Sequence, residues 1–213
     1  MAQERQKFDR ELMDIEAQVI ELFTMVADDL PKATEILLGG SNQTMRALAE
    51  RDQEIDALYP EIEELANTEL LLQAPVASDL RLLVSVLRVV PELERSHDLV
   101  VDIARRATHI LTEDLTPRTR TLIGEMGSLA ADMWREAVDC WRERDRAAAV
   151  ALGKRDDEME ELYASLIAEI ASGRMTTPIT MEMTLVARFY ERLADHAYNI
   201  ARRVVYLAGT AHN

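Results

Sequence analysis

The sequence predicts an all-α protein of six long helices arranged as two repeated three-helix bundles. Three observations carry that expectation. Aromatic residues make up only 5% of the 213 residues while Ala, Leu, Glu, Met and Arg are abundant, a composition that favours helix over strand. Apolar residues recur three and four apart over long stretches, which places them on one side of a helix. Blocks of the first half also recur in the second, charged residues included.

The first stripe, Phe8, Leu12, Ile15, Val19, Leu22 and Val26, predicts a long helix that Pro31 bends or interrupts and that Gly39-Gly40 ends. Ser41 is placed to cap a second helix running to about Leu72. Gln73 to Ala77, with Pro75, reads as a turn, and Ser78 or Asp79 as the cap of a third helix that reaches about Thr108 and is kinked at Pro91. Between Thr112 and Arg118 the periodicity lapses and Pro117 appears, so the chain is divided there into residues 1–112 and 113–213. Leu122, Met126, Leu129, Met133, Ala137 and Cys140 form the stripe of a fourth helix. A fifth is expected from near Asp145 to Ser172 or Gly173. A sixth starts at Thr176 or Thr177, with Pro178 in its first turn, and runs to about Leu207, with Gly209 beyond it.

Charge narrows the possible functions. With 39 acidic against 24 basic residues the formal charge is −15, which opposes the phosphate backbone of nucleic acid and anionic lipid headgroups alike. No direct binding of nucleic acid is expected, and contact with a membrane only through partners. No stretch approaches the ~20 uninterrupted apolar residues of a membrane span, and the charged start of the chain, Met1 to Arg10, does not read as a signal peptide. Cys140, the sole cysteine, excludes an intramolecular disulfide and reads as a core residue of a protein in the reducing cytoplasm. Long amphipathic helices with ten methionines predict spare apolar surface and a homodimer.

The repeat is closer than shared periodicity requires. Arg51-Asp52-Gln53-Glu54-Ile55-Asp56 is echoed 104 residues later by Arg155-Asp156-Asp157-Glu158-Met159-Glu160. Residues 94–106 align with 191–203, and seven of these thirteen positions are identical. Periodicity constrains only apolar against polar, so duplication of a three-helix unit is the better explanation. Within each unit the acids stand four apart, Asp52 with Asp56 and then Glu94, Asp98 and Asp102, which stacks them on one helix face. Like charges so placed repel by roughly 0.2–0.5 kcal/mol per pair. Such a stripe attracts cations, and carboxylates are hard oxygen ligands suited to Mg²⁺, Mn²⁺, Ca²⁺ or iron. Against this stands the plain alternative that the acids are solvated charge, or are neutralised by Arg95 and Arg192 beside them.

His97 is placed on the helix surface at the edge of the acid stripe, as a bystander or an accessory ligand. Glu94-x-x-His97 is the spacing that ferritin-like di-iron bundles use twice, but the matching position in the second half is Ala194, so a di-iron enzyme or metal store is the lesser reading. His196 points elsewhere. Gly39-Gly40 lacks the Lys-Ser/Thr of a phosphate loop, and no nucleophile elbow or Cys-His pair is present, so no catalytic residues are assigned.

Two Glu-Arg-x-x-Asp blocks, an upstream pair of acids four apart in each half, and Gln73-Ala74-Pro75-Val76-Ala77-Ser78-Asp79-Leu80-Arg81 together resemble the PhoU family over essentially the whole chain. The phrase Arg188-Phe189-Tyr190-Glu191-Arg192-Leu193-Ala194-Asp195-His196 looks most like actinobacterial members. The resemblance implies a non-enzymatic cytoplasmic regulator that restrains phosphate uptake and phosphate-starvation signalling. It would be an adaptor between the phosphate-specific ABC transporter, through its ATPase subunit, and a PhoR-type sensor kinase. It also implies multinuclear iron or zinc clusters on the acidic motifs. Carried over by residue, one site comprises Asp52, Asp56, Glu94 and Asp98, with Asp102 on the next turn. The other comprises Asp156, Glu160, Glu191 and Asp195, with Asn199 on the next turn. The chain departs from the family where Ser96-His97 and Leu193-Ala194 stand in place of the frequent Ile-Gly, and where Glu160 replaces an aspartate, so the two sites need not be equivalent.

Overall fold

Six helices of 26 to 36 residues account for nearly all of the described residues. The computed structural model describes residues 2–39, 42–110 and 114–209. The helices are α1 (Ala2–Leu37), α2 (Asn42–Gln73), α3 (Ala77–Arg106), α4 (Pro117–Glu143), α5 (Arg146–Ala171) and α6 (Thr177–Leu207), with a 3₁₀ turn at Ala107–His109. No strand occurs among the described residues.

Most helix boundaries follow from capping chemistry. Thr116 accepts a hydrogen bond from the Thr119 amide at 3.0 Å, and Pro117 opens α4, where its missing N–H costs nothing. Asp145 accepts from the amides of Ala147 and Ala148 at 2.8 and 3.0 Å and starts α5. Thr176 and Pro178 start α6, and Gly209 follows its end with a φ of +71°, a left-handed value that favours glycine.

Two expectations change. The cap of α3 is extended Val76, two residues before Ser78 and three before Asp79; Ser78 Oγ donates to Asp79 Oδ1 instead. Pro31 does not interrupt α1; like Pro60 in α2 and Pro91 in α3 it lies within a continuous helix. Each proline forfeits a backbone bond at a cost of about 3 kcal/mol, which packing along more than thirty residues outweighs. Ser41, the expected cap of α2, and Thr112, the last residue of the expected first half, lie outside the described residues.

The helices of each half pack on one another, and the halves join because α1 lies on α4 and α3 on α6. Four inner helices thus form the centre, with α2 and α5 flanking it. A single hydrophobic core runs through both halves and includes Phe23 against Trp134 and Trp141, at ring separations of 6.1 and 5.7 Å. Cys140 lies within it, and burial pushes its thiol up to about 11, so it stays protonated and inert. Six methionines, Met25, Met126, Met133, Met159, Met175 and Met183, are buried here rather than left as spare surface.

Two polar joints cross between the halves. At the α1–α4 contact a Cβ on Gly127 would come within 2.3 Å of Thr34 Oγ1, so the helices approach this closely only over glycine. Thr34 Oγ1 in turn shares a 2.7 Å hydrogen bond with the buried Tyr190 hydroxyl of α6. At the α3–α6 contact His196 is buried, with Nδ1 2.9 Å from Ser96 Oγ and Nε2 3.2 Å from Glu92 Oε1. No described helix is long and apolar enough to cross a membrane.

Candidate functional site

Because the acids stand four apart on helices that pack side by side, the seam between α2 and α3 collects Asp52 and Asp56 from one and Glu94, Asp98 and Asp102 from the other. Their mutual influence is plain in their titration. Burial, then Asp98 and Asp56, push the Glu94 carboxyl above its usual pKa, and burial, then Asp52, Asp56 and Asp102, do the same to Asp98. Arg105 reaches into this group, 3.4 Å from Asp102 and 3.8 Å from Asp52. Arg95 turns away and pairs with Glu92 at 3.2 Å.

The α5–α6 seam repeats the arrangement with Asp156 and Glu160 opposite Glu191 and Asp195. Burial, then Asp195, Glu160, Asp157 and Glu191, push the Asp156 carboxyl up to about 6. Asn199 Nδ2 donates to Asp195 Oδ1 at 2.9 Å, and Arg188 pairs with Glu191 at 2.7 Å. Asp157 joins this group although the repeat did not single it out.

His97 is not a surface residue. It is fully buried, with Nδ1 3.0 Å from Asp52 Oδ1 and Nε2 3.1 Å from Asp29 Oδ2. Both ring nitrogens are therefore engaged, and His97 supports Asp52 from beneath rather than presenting a free ligand. The buried Asp29, on α1, escaped the sequence reading. Burial would raise its carboxyl, but hydrogen bonds from His97 and from Lys32, at 2.7 Å, outweigh this and hold its pKa below the usual value. The signal was present, since Asp29 lies three residues after Val26 and so falls on the apolar stripe of its own helix. With Ala194 at the equivalent place, the second seam has no such support.

The PhoU domain family matches residues 8–107 and 123–204, one match in each half. The chain belongs to the PhoU family. Among curated PhoU relatives, a "Phosphate-specific transport system accessory protein PhoU homolog" of Synechocystis is 34% identical, the match covering 96% of this chain and 92% of the relative. The "PhoU homolog 2" of Mycobacterium tuberculosis is 28% identical, covering 96% and 97% respectively. Among solved PhoU structures, the crystal structure from Pseudomonas aeruginosa superposes with a TM-score of 0.86 at 28% identity, covering 94% of this chain and 98% of that one. The PhoU regulatory protein of Streptococcus pneumoniae superposes at 0.85 with 25% identity, covering 95% and 97%.

Metal clusters are implied for PhoU proteins, and the donor chemistry here bears on which metals fit. Both seams offer carboxyl oxygens, with one amide at Asn199, while the ring nitrogens of His97 and His196 are taken up by other partners. An all-oxygen set fits Mn²⁺, Mg²⁺, Ca²⁺ or carboxylate-bridged iron better than zinc, which favours nitrogen and sulfur. Among the described residues no three of these side chains already converge on a single ion position. What the seams provide is a concentration of weakly compensated negative charge.

Proposed function

We propose that the protein restrains phosphate uptake and phosphate-starvation signalling as a non-enzymatic cytoplasmic adaptor. It would act between the ATPase of a phosphate-specific ABC transporter and a PhoR-type sensor kinase, with metal held on its two carboxylate seams. The observation that carries this reading is the pairing of matched acidic seams with whole-chain similarity to proteins named as accessory to phosphate-specific transport. Asp52, Asp56, Glu94, Asp98 and Asp102 would hold metal in the first seam. Asp156, Glu160, Glu191, Asp195 and Asn199 would do so in the second. A bound cation supplies positive charge that draws the carboxyls of neighbouring helices together. The protein's own residues then set how firmly α2 is fastened to α3, and α5 to α6.

Deleting the gene should derepress phosphate-starvation genes in phosphate-replete cells; unchanged repression would refute the regulatory role. Metal analysis of protein purified without chelators should find metal, and the combined Glu94→Gln and Asp98→Asn variant should lose part of it. The homodimer is part of this proposal, supported by the exposure of Leu71, Leu72 and Val76 at the tip between α2 and α3, at 83%, 72% and 73%. Light scattering that finds only monomer at high concentration would remove it.

A further inference from the structure

Away from both acidic seams, the last turns of α6 meet the N-terminal ends of α3 and α5 around a cavity of about 630 Å³. Three arginines from three different helices line it, Arg81 from α3, Arg146 from α5 and Arg202 from α6. In a chain with a formal charge of −15 this concentration of positive charge is unusual, and no carboxylate lines the cavity with it. Other arginines of the molecule, such as Arg105, Arg135, Arg155 and Arg188, pair with acids; among the described residues these three form no ion pair.

The neighbours that these guanidiniums do have leave them able to bind. Arg146 Nη1 donates to the Gly209 carbonyl at 2.9 Å, and its other donors remain. Arg202 lies over the Tyr198 ring at 5.8 Å, which leaves the edge of its planar fork open. The Nε of Arg81 is buried and makes no hydrogen bond. The walls are positioned by glycine on two sides. A Cβ at Gly153 would come within 3.3 Å of the Tyr198 hydroxyl, and one at Gly209 within 3.3 Å of Arg81 Nη2. The rest of the lining is aromatic and aliphatic, with Tyr198, Tyr206 and Val150.

Several planar guanidinium forks facing one space suit an oxyanion of more than one charge, and phosphate accepts such forks in pairs. A single phosphate would leave much of the volume unfilled and the apolar wall uncovered. The cavity has the size and mixed lining of a site for an organic ligand. We propose that this cavity binds an organic phosphate ester of about nucleotide size, its phosphate groups held by Arg81, Arg146 and Arg202 and its organic body laid against Tyr198, Tyr206 and Val150. The inference stands on the charge and shape of this cavity alone and does not depend on metal at the acidic seams.

Isothermal titration of the full chain with AMP, ATP, inorganic phosphate and citrate tests it, at low salt and with a chelator present so that no metal on the acidic seams can bridge to a phosphate. AMP or ATP should bind more tightly than inorganic phosphate or citrate. Arg146→Gln and Arg202→Gln, both at exposed positions, should each weaken that binding by about tenfold. Val150→Glu, which sets a negative charge in the exposed part of the lining without touching the core, should weaken it further. No binding of either nucleotide overturns the proposal, and so does binding that survives all three charge changes. Equal affinity for inorganic phosphate or citrate would overturn the assignment to an organic ester.

Discussion

His97 meets a carboxylate oxygen on each ring nitrogen, Asp29 on one side and Asp52 on the other, and Asp29 is itself buried. Removing one member of a buried charged set strands the others in a poor dielectric. His97→Ala should therefore destabilise the fold by about 3–5 kcal/mol, while replacing the buried pair together, Asp29→Leu with His97→Leu, should cost far less. Urea unfolding of the two variants decides it, and equal losses would refute the mutual dependence of His97 and Asp29. Asp156 makes the opposite case, an acid raised by burial and by four neighbouring carboxylates. Its ordinary value of 3.8 rises to about 6 in the fold, so the folded chain holds the proton more tightly than the unfolded one. The stability linked to it is fully present below about pH 4 and is lost as pH rises through about 6. Thermal melts should fall between about pH 4 and pH 6 in the native protein and fall less in Asp156→Asn. An unchanged slope in the variant would show that this carboxyl is not the source.

At the scale of elements, the contact of α1 with α4 depends on what is missing at Gly127. A methyl there would collide with Thr34, push the helices apart and strain the Thr34–Tyr190 hydrogen bond. Gly127→Ala should cost about 1–3 kcal/mol in chemical denaturation, although alanine is the better helix former. A neutral or stabilising result would mean the contact yields without cost. The same crossing shows what helix periodicity leaves open. The stripes of α1 and α4 were legible because apolar residues three and four apart have one common face. Which residue of one stripe meets which residue of the other is a matter of register between distant segments. Prolines illustrate the limit from another side: the local cost of Pro31, Pro60 and Pro91 is readable in the sequence, while the packing that overrides it is not.

For the molecule as a whole, the formal charge of −15 has an internal distribution. Acids gather on the α2–α3 and α5–α6 seams, and arginines that form no ion pair among the described residues gather where the starts of α3 and α5 meet the end of α6. If the seams hold metal, added Mn²⁺ should raise the melting temperature near neutral pH, where the carboxyls are ionised, and the gain should shrink as they protonate. Glu94→Gln with Asp98→Asn should remove part of that gain and Glu191→Gln with Asp195→Asn another part, as melts with and without Mn²⁺ would report. A gain that survives all four substitutions would place the metal elsewhere.

The sequence by itself determined the six helices, the duplication, and the grouping of acids on corresponding faces. Each of these rests on spacing within a helix or on identity between repeats, and both are local properties of the chain. Tertiary structure decided the role of His97, which depends on Asp29 sixty-eight positions away. It also decided the joining of the two halves through one core and the meeting of Arg81, Arg146 and Arg202 around one cavity. Those features arise from side chains on separate helices, and only packing determines which distant residues share a space from which water is excluded.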